Sequence, residues 1–213
     1  MSRLTDNLDS IAEQIRLSFS AKDAAREKAL PLCREVIRHC SNAIRAVHRQ
    51  EFDQAKGLLQ SARSLLNEAE QAIADYSELS STGFIRDAQK EFAEGSITLG
   101  LVTGNQPPTP GELGIGFTAY LNGLGEAVGE LRRYLLDSMR RGDLSRGEEL
   151  LSAMDDIYNI LVTMDFPDAI TGGLRRTTDV VRSILERTRS DLTLLIRQKD
   201  LEERLGEFGG NLR

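Results

Sequence analysis

Tryptophan is absent, and aromatic residues supply only 5% of the 213 positions. Few flat side chains are therefore available to stack on nucleobases, so any nucleic-acid contact would run along the backbone and tolerate many sequences. There are two histidines, His39 and His48. That argues against a histidine-rich metal site and against most histidine-based triads. The two cysteines, Cys33 and Cys40, lie seven residues apart and form no CxxC motif. On a helix they share a face but stand too far apart to bridge, as expected of two buried thiols in a reducing cytoplasm. No apolar run approaches the ~20 residues that a bilayer requires. The opening Met1-Ser2-Arg3-Leu4-Thr5-Asp6 lacks the apolar core of a signal peptide. A cytoplasmic protein with no membrane partner is expected.

What is present favours helices. Hydrophobic residues make up 40% of the chain, and Ala, Leu, Glu and Arg recur throughout. No strong strand alternation appears, so the fold class is all-α, with six to seven helices in one domain over 1–213. The net charge is −6, which argues weakly against nucleic acid. The charge is unevenly spread, however. Residues 1–50 hold nine Lys/Arg and six Asp/Glu, a local +3, so the remainder carries −9.

The periodicity predicts a first helix over roughly 4–50, bent near Pro31. Cys33, Ile37, Cys40, Ile44 and Val47 form one apolar stripe on it. Arg34, Arg38, Arg45 and Arg49 form a basic stripe beside that. Further helices are predicted over about 52–79 and 82–103. Thr109-Pro110-Gly111-Glu112 then reads as a capping box opening a helix to about Arg141. Gly114, Gly116, Gly123, Gly125 and Gly129 weaken that helix, and their expected use is close approach of a backbone or ligand. Ser145-Arg146-Gly147-Glu148 reads as a second capping box, for a helix to about Met164. A last helix is expected over about 168–204, with a frayed tail at 206–213.

Two pairs of acids stand on apolar-flanked helices. Glu91 and Glu94 are i,i+3; Glu126 and Glu130 are i,i+4. Each spacing puts both carboxylates of a pair on one face. If the pairs face each other, four carboxylates crowd together and require cations. Mg²⁺, or Mn²⁺, suits such oxygen ligands and supports attack on phosphoryl groups. The plain alternative is four acids on solvated faces, with the glycines serving helix packing alone. A ferritin-like di-iron site is improbable, because ExxH is missing. An all-helical nucleoside triphosphate pyrophosphatase would want a doubled acid where Lys90 stands and an ExxD for the second pair.

Three stretches resemble the translin and translin-associated factor X family. Gln89-Lys90-Glu91-Phe92-Ala93-Glu94-Gly95 is similar to its QEYVEA-type helix. Ala119 to Leu131, read as AYLNGLGEAVGEL, is similar to its DYLLGVADLTGEL-type helix. Asp137 to Arg146, read as DSMRRGDLSR, is similar to the NSV-x-x-GD-Y-S-R turn of translin. Together they cover about 90–150. The resemblance implies an all-α, translin-like bundle, the protomer of a hollow homo-oligomer, an octamer, whose interior is lined by the acids. It implies binding of single-stranded RNA, or single-stranded DNA, and Mg²⁺-dependent endoribonuclease activity. Glu91 and Glu94 match the EYVE acids of the factor X branch, and Glu130 matches the Glu of TGEL. Glu126 stands where that branch has Asp. These four are the implied metal-binding and catalytic residues. Arg34, Arg38, Arg45, His48 and Arg49 are the expected nucleic-acid contacts, with a solvated or inter-subunit face as the alternative for that stripe. Three other functions stay open: a non-catalytic homologue that only binds RNA or DNA, more remotely an all-helical nucleotide pyrophosphatase, and a purely structural helical assembly.

Overall fold

A computed structural model describes residues 5, 7–80 and 83–210. Among these residues the chain is all-helical. The long helices are α1 (Leu8–His48), α2 (Phe52–Ala72), α4 (Gly83–Val102), α6 (Phe117–Arg140), α7 (Gly147–Val162) and α9 (Leu174–Gly210). Three single-turn helices lie between them: α3 (Ser77–Ser80), α5 (Pro110–Leu113) and α8 (Asp168–Thr171). None of the described helices is long and apolar enough to cross a membrane.

α1 packs on α2 and α4, α4 packs on α6, and α6 packs on α7 and α9. One continuous core runs through these contacts, from Cys33, Val36 and Leu66 to Ile97, Leu131, Met154 and Leu192. The apolar stripe of α1 enters it with Cys33, Cys40, Ile44 and Val47 buried, and Ile37 packs at its edge. Both cysteines are free thiols. Burial pushes the Cys33 thiol up to about 11, with the Glu70 carboxylate adding to the shift. The first half of α1 is different. Leu17 and Phe19 are 63% and 66% exposed, and among the described residues Ala29 is the first that is fully buried.

Several expected boundaries move, each for a local reason. α1 continues through Pro31, although that proline can donate no hydrogen bond to the preceding turn. The expected helix over 52–79 stops at Ala72, and a turn in which the Tyr76 amide donates to the Ile73 carbonyl separates it from α3. The Thr109 capping box forms: the Thr109 hydroxyl accepts from the Glu112 amide, and the Glu112 carboxylate accepts from the Thr109 amide. It caps only α5, because Gly114 turns left-handed at φ 61° and α6 starts afresh after Gly116. The Ser145 capping box does not form. The Asp143 carboxylate takes both the Ser145 amide and its hydroxyl, and Arg146 becomes the N-cap of α7. Gly172 and Gly173, at φ 63° and 86°, split α8 from α9. α9 is described as far as Gly210; the rest of the expected 206–213 tail, 211–213, lies outside the described residues.

The glycines of α6 divide by use. A Cβ at Gly123 would lie 2.7 Å from both the Ala93 Cβ and the Lys90 carbonyl of α4. At Gly125 it would overlap the Thr177 side chain of α9, whereas at Gly129 it would meet only ordinary contact with Ile184. Gly57, in α2, has open space around it. Gly57→Ala should therefore stabilise the protein by about 0.5–1 kcal/mol through helix propensity. Gly123→Ala should destabilise it by about 1–3 kcal/mol, because helix backbones must separate. Thermal unfolding of the two variants checks both signs.

Candidate functional site

The close approach at Gly123 brings the acidic faces of α4 and α6 together. Glu91, Glu94 and Glu126 each place a carboxylate oxygen within 4.8 Å of the others. Glu94 is the buried member, at 9% exposure, while Glu91 and Glu126 are half-buried. Glu130 stands apart from this trio. Its Oε2 lies 2.5 Å from His48 Nε2 of α1, and Arg133 Nη1 is 3.8 Å away. The His48 side chain is only 6% exposed, and its Nδ1 is buried with no partner.

The electrostatics follow from this crowding. Burial raises Glu94 to about 8, and the charges of Glu91, Glu126 and Glu130 add to the effect against the opposing pull of Lys90. Glu91 is also raised, first by burial, then by Glu126 and Asp87, with Lys90 opposing. Cys40, on the inner face of α1, is driven well above the ordinary thiol range by burial and then by Glu91 and Glu94. The Cys40 carbonyl lies 3.9 Å from where a Cβ at Gly95 would sit, so this side of α1 faces α4 next to Glu94. One cation answers them: Lys90 Nζ donates to Glu126 Oε1 at 2.7 Å and lies 3.8 Å from Glu91 Oε1. Burial alone would lower Lys90, but Glu126, Glu91 and Asp87 hold it above the usual lysine value.

Comparison with known proteins supplies the family. An uncharacterised protein of Methanocaldococcus jannaschii is 32% identical over 186 residues, covering 86% of this chain and 82% of its own. Two solved structures of AfC3PO, one of them a complex with duplex RNA, are each 32% identical to this chain. They cover 88% of it and 97% of their own chains, with TM-scores of 0.79 and 0.81. This chain belongs to the translin family. The structure of apo-NeC3PO, 18% identical with a TM-score of 0.72 over 92% of this chain and all of its own, shares the fold. No protein-family model matches the chain.

The translin-like segments thus converge in space. Glu91, Glu94 and Glu126 come together, with Glu130 one interaction away. The DSMRRGDLSR turn supplies Arg146, which donates to the Leu101 carbonyl at 3.1 Å and to that of Val102, closing the C-terminal end of α4. Of the basic stripe, Arg34, Arg38, Arg45 and Arg49 are exposed. Arg38 is paired with Glu35, and Arg49 Nε donates to Glu51 at 2.8 Å. His48 leaves that stripe for Glu130. The reason lies in the helix turn of about 100° per residue. It sets His48 about 80° from Cys40 and the four arginines about 120–180° from it. The sequence reading missed Lys90 as a partner of the acids. Its signal was there, a lone cation beside an acidic pair, and it was read only as a departure from a doubled acid.

Glu94 carries a pH signature. Its folded pKa of about 8 lies above the ordinary 4.5, so the folded state holds a proton that the unfolded chain releases. Stability from this group is full at acidic pH and is lost as pH rises from about 4.5 through about 8. Metal-free protein should melt at progressively lower temperature across that window, and Glu94→Gln should flatten the slope. Unfolding curves in EDTA at a series of pH values check this.

Proposed function

We propose that this protein is a metal-dependent endoribonuclease that binds RNA along its phosphate backbone. The observation that supports this reading is the convergence of Glu91, Glu94 and Glu126 within 4.8 Å in a chain of the translin family. The donor set fits Mg²⁺ or Mn²⁺, since it offers only hard oxygen ligands and carries more negative charge than its surroundings neutralise. Bound there, such an ion would acidify water and offset charge on the phosphate. The residues' own parts differ. Glu94 is fixed by burial between α4 and α6 and must give up its proton to serve as a ligand. Glu91 and Glu126 flank it from the two helices. Glu130, engaged by His48, acts as the outer carboxylate that orients the site. Glu126 is one methylene longer than the aspartate of the factor X branch, and the Lys90 contact takes up that reach.

Assembly into a homo-oligomer, an octamer as in the family resemblance, belongs to the same proposal. Phe117, Phe166 and Ile170 are 77%, 59% and 62% exposed around an apolar groove of about 910 Å³ between α6 and α7. Exposed patches of that kind mark contact surfaces. Single-stranded RNA is the proposed substrate. Because AfC3PO was solved with duplex RNA, the duplex is the necessary comparison.

A second reading has its own supporting observation. Lys90 already neutralises part of the cluster, as a protein that only binds RNA would require. Incubation with end-labelled single-stranded and duplex RNA, in Mg²⁺ or EDTA, separates the two. Cleavage should need the metal and should fall by at least ~100-fold in Glu94→Gln, with the helical circular dichroism unchanged. Retention of RNA with no metal-dependent product would replace the nuclease by the binding module.

Arg34 and Arg45 are the stripe residues with no carboxylate partner among the described residues. Replacing both with Ala should weaken RNA binding. It should also reduce the slope of log affinity against log salt by about 0.7 for each phosphate of a single strand that is no longer neutralised. An unchanged slope in a filter-binding series would return the stripe to a solvated face.

A further inference from the structure

We propose that Lys90 is a tethered cation that stands in for the divalent ion and must release Glu126 before that ion can enter. The inference rests on the reading of the acidic trio as a metal site. Lys90 is held at its base by the helix crossing and at its tip by the acids. Its carbonyl lies only 2.7 Å from where a Cβ at Gly123 of α6 would sit. From there the side chain spans the crossing, so that Nζ reaches Glu126 on α6 at 2.7 Å while lying 3.8 Å from Glu91 on α4. The ammonium therefore touches two members of the trio, one from each helix.

Its hold is within reach of solvent. The Lys90 side chain is 25% exposed and that of Glu126 is 36% exposed. An incoming ion can therefore reach the pair, although the pair still opposes the repulsion between the acids. One ammonium also does not match the charge of the two acids it faces, Glu91 and Glu126, and it offers donors where the acids offer acceptor geometry for a hard cation. A divalent ion brings twice the charge to the same oxygens. Lys90 thus keeps the metal-free site from flying apart and, for the same reason, competes with the metal.

The signature is a pair of opposite effects in one variant. Lys90→Gln should melt below wild type in EDTA, yet bind Mn²⁺ roughly tenfold more tightly by calorimetric titration, because a repelling charge near the ion is gone. A lysine that merely packs would lower both quantities. Unchanged or weaker Mn²⁺ binding in Lys90→Gln overturns the inference. Lys90→Arg keeps the charge and should bind Mn²⁺ no more tightly than wild type; tighter binding there overturns it too, and this arm stands even if Lys90→Gln fails to fold. Glu94→Gln separates the two levels. Mn²⁺ binding that is lost in Glu94→Gln but equal in wild type and Lys90→Gln leaves the metal site standing and removes Lys90 alone. No Mn²⁺ bound by wild type or by Lys90→Gln removes the metal reading and this inference together.

Discussion

Helices α4 and α6 approach at Gly123 until a side chain there would collide with the Ala93 Cβ and the Lys90 carbonyl, each 2.7 Å from the missing Cβ. Everything at the acidic centre follows from that crossing. Glu91 and Glu94 lie on the α4 face that meets Gly123, and Glu126 follows Gly123 by three residues on α6. A bulkier residue would separate the helices and spread the carboxylates. Gly125 performs the same service on the opposite side of α6, where Thr177 of α9 fills the space. The glycine-rich sequence of α6 is thus poor in helix propensity and rich in close packing, and tertiary packing supplies the stability that propensity does not.

The crossing creates its own electrostatic problem. Like charges drawn together in a partly dry site destabilise the fold unless protons or cations answer them. Three answers are visible. The Glu94 carboxyl is raised to about 8, Lys90 reaches over the crossing to Glu126, and His48 hydrogen-bonds Glu130 from α1. The buried network around Asn122 shows the contrast. Its amide donates to the Thr118 and Thr171 carbonyls at 2.9 and 2.8 Å, and its oxygen accepts from Thr177. It is satisfied and neutral, and it ties α6, α8 and α9 together a turn away from the acids. Rigidity comes from Asn122, and exchangeable charge from the carboxylates.

Much of this was legible in the sequence because it is local. The helical class, the capping box at Thr109 and the shared faces of Glu91 with Glu94 and Glu126 with Glu130 all depend on spacings of three or four residues. What escaped depends on competition or on distance. Ser145 has the sequence of a cap, but Asp143 two residues earlier takes its hydroxyl first. The breaks at Gly114 and at Gly172-Gly173 arise from left-handed backbone, which an apolar pattern does not announce. His48 reads as one of a row of basic residues until the helix turn places it toward α6. Lys90 and Glu126 are 36 residues apart, and only the α4–α6 crossing makes them partners.

The same helix turn constrains how RNA could be used. Cys40 marks the side of α1 that faces the acids, and Arg34, Arg38, Arg45 and Arg49 lie about 120–180° away around the axis. Acidic trio and basic stripe therefore occupy opposite sides of one helix. A strand lying on the stripe is separated from the acids of the same protomer by the thickness of α1, about 10 Å with side chains. The chain's net charge of −6 makes a route over the remaining surface unfavourable. For the stripe to deliver phosphate to a trio, that trio would have to belong to another protomer. The proposed oligomer would then have to set a basic face opposite a neighbour's acidic centre, an arrangement that one protomer cannot provide for itself.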